Sequence, residues 1–187
     1  SPDVGKAVRL QSHAIELFVD YLNSYSSLIS TYAIQAVYDK DHGKDPAILL
    51  ESSSAVFRKL MLINDKFVPG YIGVLNSYVP AVMYRLDAGL DSSAVIEDMR
   101  GVLSRFQALV PADDYQVSSQ LAEVSLFEAE NAHILGKDPG QFLEKAKSYA
   151  AACLEKTKTA SYCYVIRARA LNAEIRFKYK SEKTETL

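Results

Sequence analysis

A short pattern that recurs at even spacing constrains this chain more than any other feature. Gly43-Lys44-Asp45-Pro46 precedes Leu49-Leu50-Glu51, Gly89-Leu90-Asp91-Ser92 precedes Val95-Ile96-Glu97, and Gly136-Lys137-Asp138-Pro139 precedes Phe142-Leu143-Glu144. The glycines lie 46 and 47 residues apart, so the chain is an internal repeat. Glycine suits the left-handed position just past a helix end. Aspartate is a helix N-cap whose carboxylate accepts the first free amides. Proline fits the first helical position, where its missing amide costs nothing. Each copy therefore predicts the end of one helix, a tight turn and the start of the next.

The segments after each aspartate carry apolar residues at helical spacing. They are Leu49, Leu50, Ser53, Val56, Phe57 and Leu60; Val95, Ile96, Met99, Val102, Leu103 and Phe106; and Phe142, Leu143, Ala146, Tyr149, Ala150 and Cys153. They end near Asn64-Asp65, Pro111-Ala112-Asp113 and Thr157-Lys158-Thr159. Partner helices are expected over residues 67–88, 114–135 and 160–180. Pro80 should kink the first of these or end it early. Upstream, residues 4–38 read as helix almost throughout, with Asn23-Ser24-Tyr25-Ser26-Ser27 the preferred break. The expected fold is all-α, with about seven helices packed as antiparallel hairpins that stack side by side. As one 187-residue domain it divides into a capping helix (1–20), three repeats (21–65, 66–112, 113–158) and a C-terminal helix and tail (159–187).

Composition excludes several classes of function. About half the residues are apolar and a quarter charged, as in soluble globular proteins. The net charge of −2 comes from interleaved acids and bases, with a modest basic run at Arg167, Arg169, Arg176, Lys178 and Lys180. Nucleic acid is therefore not the expected partner. No apolar stretch is long enough to span a membrane, so no membrane is expected either. Ser1-Pro2 reads as a domain boundary. Cys153 and Cys163 lie among apolar neighbours and are expected as buried free thiols of a reducing cytoplasm.

A helix pair with a Gly near its turn and a second helix closing near Asp or Pro resembles a tetratricopeptide repeat. Ala146 and Ala150 with Leu154, and Phe57-Arg58-Lys59-Leu60 before Ile63-Asn64-Asp65, look like that family's second helix and closing turn. The period of 46–47 departs from the family's 34, which implies longer helices. The pattern from Gly136 to Glu144 is similar to long divergent repeats that follow the catalytic domain of some bacterial serine/threonine protein kinases. The similarity covers roughly residues 21–180. It implies a right-handed superhelical solenoid and a cytoplasmic scaffold or sensor segment of a larger signalling protein. None of the kinase catalytic motifs is present.

The sequence carries no complete catalytic or metal-binding motif. Glu130 and His133 share a helix face but lack the further ligands of a metal site. Asp39, Asp41, Gly43 and Asp45 resemble a calcium loop, yet the positions that need Gly and Glu are Lys44 and Leu50. The carboxylate pairs Asp113-Asp114 and Glu128-Glu130 read as caps or solvated faces. No catalytic, cofactor-binding or metal residue is assigned, and no cofactor is expected.

The 12 tyrosines are the most suggestive feature. Tyr25, Tyr71 and Tyr164 share a register, Ser118 takes the remaining slot, and Tyr32 and Tyr78 lie seven residues after the first two. On stacked hairpins such rings could form a ridge on the concave surface, where extended ligands bind. Asn76, Arg85, Gln120 and Asn131 would supply polar contacts. The plainer reading, which carries more weight, is that the rings pack between helices. The function expected is a scaffold that binds a protein or peptide partner. An enzyme with a pocket between hairpins, or a self-associating module such as a homodimer, are the alternatives.

Overall fold

The computed structural model describes residues 2–111, 113–159 and 161–184, with the side chains of 3–111, 113–159 and 161–177. Among the described residues every regular element is helical. The described residues form eight helices, one more than expected: α1 (Pro2–Leu17), α2 (Leu22–Asp41), α3 (Ala47–Ile63), α4 (Val68–Asp87), α5 (Ser93–Gln107), α6 (Tyr115–Ile134), α7 (Gly140–Lys156) and α8 (Ser161–Thr184).

The punctuation follows the repeated pattern. Gly43, Gly89 and Gly136 have φ of 72°, 68° and 69°, a region in which a side chain is strained. At Gly43 the Lys44 amide donates to the Asp39 carbonyl and the Gly43 amide to that of Lys40. The Lys137 and Gly136 amides do the same toward Ala132 and His133. Both are Schellman closures of the preceding helix. The Asp45, Asp91 and Asp138 carboxylates each accept the amide two residues on, from Ala47 (2.9 Å), Ser93 (2.8 Å) and Gly140 (2.8 Å). Asp114 caps α6 the same way, accepting from Gln116 at 2.7 Å.

Three details differ from expectation. The first helical stretch breaks at 18–21, ahead of the Asn23–Ser27 segment, which lies inside α2. No glycine or proline marks this break; the Tyr21 amide turns back to the Phe18 carbonyl. Helix α4 does not end early at Pro80, which is buried within it. Cys153 and Cys163 are not free thiols: they form a disulfide that joins the end of α7 to the start of α8, with Cα atoms 6.1 Å apart. That separation is typical of the bond.

The chain divides between α4 and α5 into two compact units. In the first, α2 packs on α1, α3 and α4, and α3 on α4. In the second, α6 packs on α5, α7 and α8, and α7 on α8. The second unit thus repeats the packing of the first, 93 residues later. Helices α2 and α6 start at 22 and 115, α3 and α7 at 47 and 140, and α4 and α8 at 68 and 161.

Core contacts keep this register while exchanging residues. Gly73 on α4 lies against Ile29 on α2; the matching positions are Ile166 and Ala122, which pack together with Ala150. The volume has moved from one helix to the other. Gly70 lies against Leu60, and the matching positions are Cys163 and Cys153. The disulfide therefore occupies a close helix contact already present in the first unit.

Candidate functional site

The described recesses that share a lining residue lie in the second unit, along one side of α6. Helices α5 and α7 both pack on α6, and among the described residues their backbones do not approach each other closely. A groove is left between them, floored by α6.

Three helical stripes face it. Helix α5 buries Ile96, Met99, Leu103 and Phe106, which turns Glu97, Arg100 and Ser104 toward the groove. Helix α7 buries Leu143, Ala146, Ala150 and Cys153, which presents Phe142, Lys145 and Tyr149. Helix α6 contributes Leu121, Val124, Ser125 and Glu128, at steps of three, one and three that keep them on one face.

The groove holds two adjoining recesses. One, of about 200 Å³, is lined by Ile96, Glu97, Asn131, Leu135 and Phe142 among others. The second, of about 270 Å³, is lined by Leu103, Leu121, Val124, Ser125, Lys145 and Tyr149 among others. Glu128 lines both.

Glu128 is the electrostatic centre of the groove. Arg100 Nη1 donates to its Oε1 at 2.9 Å. Burial raises its pKa above the usual carboxylate value, against the pull of Arg100 and Lys145, and Glu97 adds to the rise. Arg100 is half exposed and also approaches Glu97 at 3.9 Å. Lys145 lies over the Phe142 ring, 5.9 Å from its centroid. Two cations and an apolar recess thus stand beside two anions, Glu128 and Glu97, and Arg100 approaches both. The arrangement suits a group that is apolar with an acidic flank.

The sequence-predicted residues fall elsewhere. Tyr25, Tyr71 and Tyr78 are buried in the core. Tyr71 packs edge-on against Phe57 at 5.0 Å and donates its hydroxyl to the Asp65 carbonyl at 2.8 Å. Tyr25 is buried enough to raise its pKa, with Asp20 contributing. These three rings pack and do not form an open ridge. Tyr32 and Arg85 are half-buried, and Asn76 and Tyr164 are exposed. Gln120 is buried. Asn131 ties the end of α6 to the start of α5, accepting the Ser92 amide at 2.7 Å and donating to Ser93 Oγ at 2.9 Å. Of the nine residues, only Asn131 borders the groove.

The carboxylates of α6 are paired. Glu123 receives Arg169 at 2.7 Å, and Glu130 receives Arg176 at 3.0 Å. Two members of the basic run on α8 are thereby engaged. His133 stacks on Phe177 at 4.3 Å, and no group of three or more metal-ligating side chains occurs among the described residues. Among the described residues no helix is long and apolar enough to cross a membrane.

No protein-family model matches this chain, and neither a curated protein nor a solved structure does.

Proposed function

We propose that this chain is an interaction module, a tetratricopeptide-like solenoid of stacked antiparallel hairpins that binds a protein or peptide partner. The observation that carries the reading is the groove over α6, where three amphipathic stripes leave two recesses joined at Glu128. The packing of alternate helices, α2 on α4 and α6 on α8, supports the stacked-hairpin arrangement. The partner would place an apolar side chain in the Leu103–Val124–Tyr149 recess and a carboxylate between Arg100 and Lys145. Binding then draws on a desolvated anchor with a charged rim. This replaces the tyrosine ridge, whose central rings are committed to the core. A catalytic reading would need a group converging on Glu128 that Arg100 does not already satisfy, so binding is favoured. A scaffold segment of a larger signalling protein is part of the same proposal. The disulfide removes the free thiols that agreed with a cytoplasmic setting, since disulfides persist in oxidising compartments.

Selection of a displayed peptide library against the chain tests the groove. Selected peptides should be apolar with acidic flanks. Lys145→Glu and Tyr149→Ala should each weaken them by roughly tenfold, about 1.4 kcal/mol, with helicity unchanged. Equal binding by parent and both variants would dismiss the groove.

A further inference from the structure

The 93-residue register allows each helix face to be compared with its counterpart, and two faces do not match in exposure. On α4, Tyr71, Leu75, Tyr78 and Val82 form one stripe, and none is more than 7% exposed. The same positions on α8 are Tyr164, Ala168, Leu171 and Ile175, and the three large residues are 52%, 46% and 55% exposed. On α6, Gln120, Glu123, Phe127 and Asn131 form a stripe that is likewise closed. The same positions on α2 are Ser27, Ser30, Ile34 and Tyr38, all exposed, with Ile34 at 64% and Tyr38 at 42%; Val37 beside them is 45% exposed. A face closed on α4 is thus open on α8, and a face closed on α6 is open on α2.

Stacked helical repeats stay soluble when their terminal faces are polar. Neither open face here is wholly so: the α2 face carries Ile34 and Tyr38 beside Ser27 and Ser30. Both keep large apolar side chains at one-turn spacing, which makes them suited to burial. We propose that copies of this chain associate head to tail, with the α8 stripe of one copy (Tyr164, Leu171, Ile175) seated against the α2 stripe of the next (Ile34, Val37, Tyr38). The two stripes are of different kinds, so the contact is heterologous and each copy keeps one open face at either end of a growing chain. Charge favours this pairing over α8 on α8. Exposed Arg167 stands beside the α8 stripe and would face its own copy in a symmetric pair. At the two ends of the α2 stripe stand exposed Asp20 and the Lys40–Asp41 ion pair (2.9 Å). The contact leaves the α6 groove outside it.

Sedimentation velocity of the whole chain across a concentration series reads the proposal directly. The parent should grow through dimers to longer species as concentration rises. Ile34→Glu and Leu171→Glu change exposed residues and should keep parental helicity and melting temperature. Each variant alone should sediment as a monomer. Mixed in equal amounts, they should form a dimer that grows no further, because one supplies an intact α8 face and the other an intact α2 face. A parent that stays monomeric at every concentration overturns the proposal. So does association lost with Leu171→Glu but kept with Ile34→Glu, which would mark a symmetric α8 contact.

Discussion

Ser53 and Ser77 share a buried hydrogen bond, Oγ to Oγ at 2.7 Å, between α3 and α4. At the same register in the second unit stand Ala146 and Ala170, packed in one apolar cluster. One packing geometry is closed by a polar pair in one unit and by methyl groups in the other. The two solutions are equivalent only if both partners change together, because a lone buried hydroxyl loses its counterpart. Ser77 also reaches the Gly73 carbonyl at 3.2 Å, which keeps it partly satisfied. Ser53→Ala alone should cost about 1 kcal/mol. Ser53→Ala with Ser77→Ala should cost less than the sum of the singles, with a coupling of about 1 kcal/mol in urea unfolding. Strict additivity would show that the bond contributes nothing.

Glycine substitutions should separate by position. A Cβ on Gly73 would lie 2.9 Å from Ile29 Cγ2, whereas one on Gly101 of α5 meets nothing within 4 Å. Gly101→Ala should stabilise by about 0.5–1 kcal/mol through helix propensity. Gly73→Ala should destabilise by about 1–3 kcal/mol through overpacking. Gly73→Ile combined with Ile29→Ala reproduces the Ile166–Ala122 contact and should be better tolerated than Gly73→Ile alone. Thermal melts of the four variants decide this, and a Gly73→Ala protein as stable as Gly101→Ala would refute the shared register.

The turns were legible because a positive φ and a capping carboxylate are local needs, met by Gly43, Gly89 and Gly136 and by Asp45, Asp91 and Asp138 themselves. The break at 18–21 was not, because Phe18-Val19-Asp20-Tyr21 carries no breaker and no side chain caps α2 at Tyr21. The 93-residue unit was hidden behind the shorter period, since its evidence lies in exchanged pairs such as Ile29–Gly73 and Ala122–Ile166 that look unlike one another in sequence. The candidate site was nearly invisible. Arg100, Glu128 and Lys145 come from three helices, and no local spacing connects them. The tyrosine register was real, but a register records a shared face and not whether that face is covered: Tyr71 is buried and Tyr164 is open.

The disulfide should anchor the α7–α8 pair. It closes a short loop, for which lost chain entropy in the unfolded state gives about 2–3 kcal/mol. Cys153→Ala with Cys163→Ala should lower stability by that amount in urea unfolding. Thiol titration of the unfolded, unreduced chain should find no free cysteine. Two titratable thiols, with no loss in the double variant, would remove the bond from the account.

The Glu123–Arg169 pair makes the clearest pH prediction. Glu123 is fully buried, Arg169 is about a quarter exposed, and Nη1 donates to Oε1 at 2.7 Å. Glu123 Oε2 accepts no hydrogen bond from the described residues. Burial raises the Glu123 pKa, Arg169 lowers it again by charge and hydrogen bonding, and Glu130 adds to the rise, leaving it above the ordinary 4.5. A carboxyl with a raised folded-state pKa holds its proton more tightly when folded. Its stabilising term is therefore complete below the unfolded pKa and is lost as pH climbs through the folded one. The parent should lose stability relative to Glu123→Gln as pH rises from the acid range through the raised Glu123 pKa, since glutamine does not titrate. Arg169→Met should be destabilising by on the order of 3 kcal/mol at neutral pH, because it leaves a buried charge unpaired. That cost should shrink in acid, where Glu123 takes up a proton. Urea unfolding of the three proteins at both ends of the range is the measurement. Parallel parent and Glu123→Gln curves, or an Arg169→Met cost that does not change with pH, would place the Glu123 pKa at its ordinary value and undo the argument.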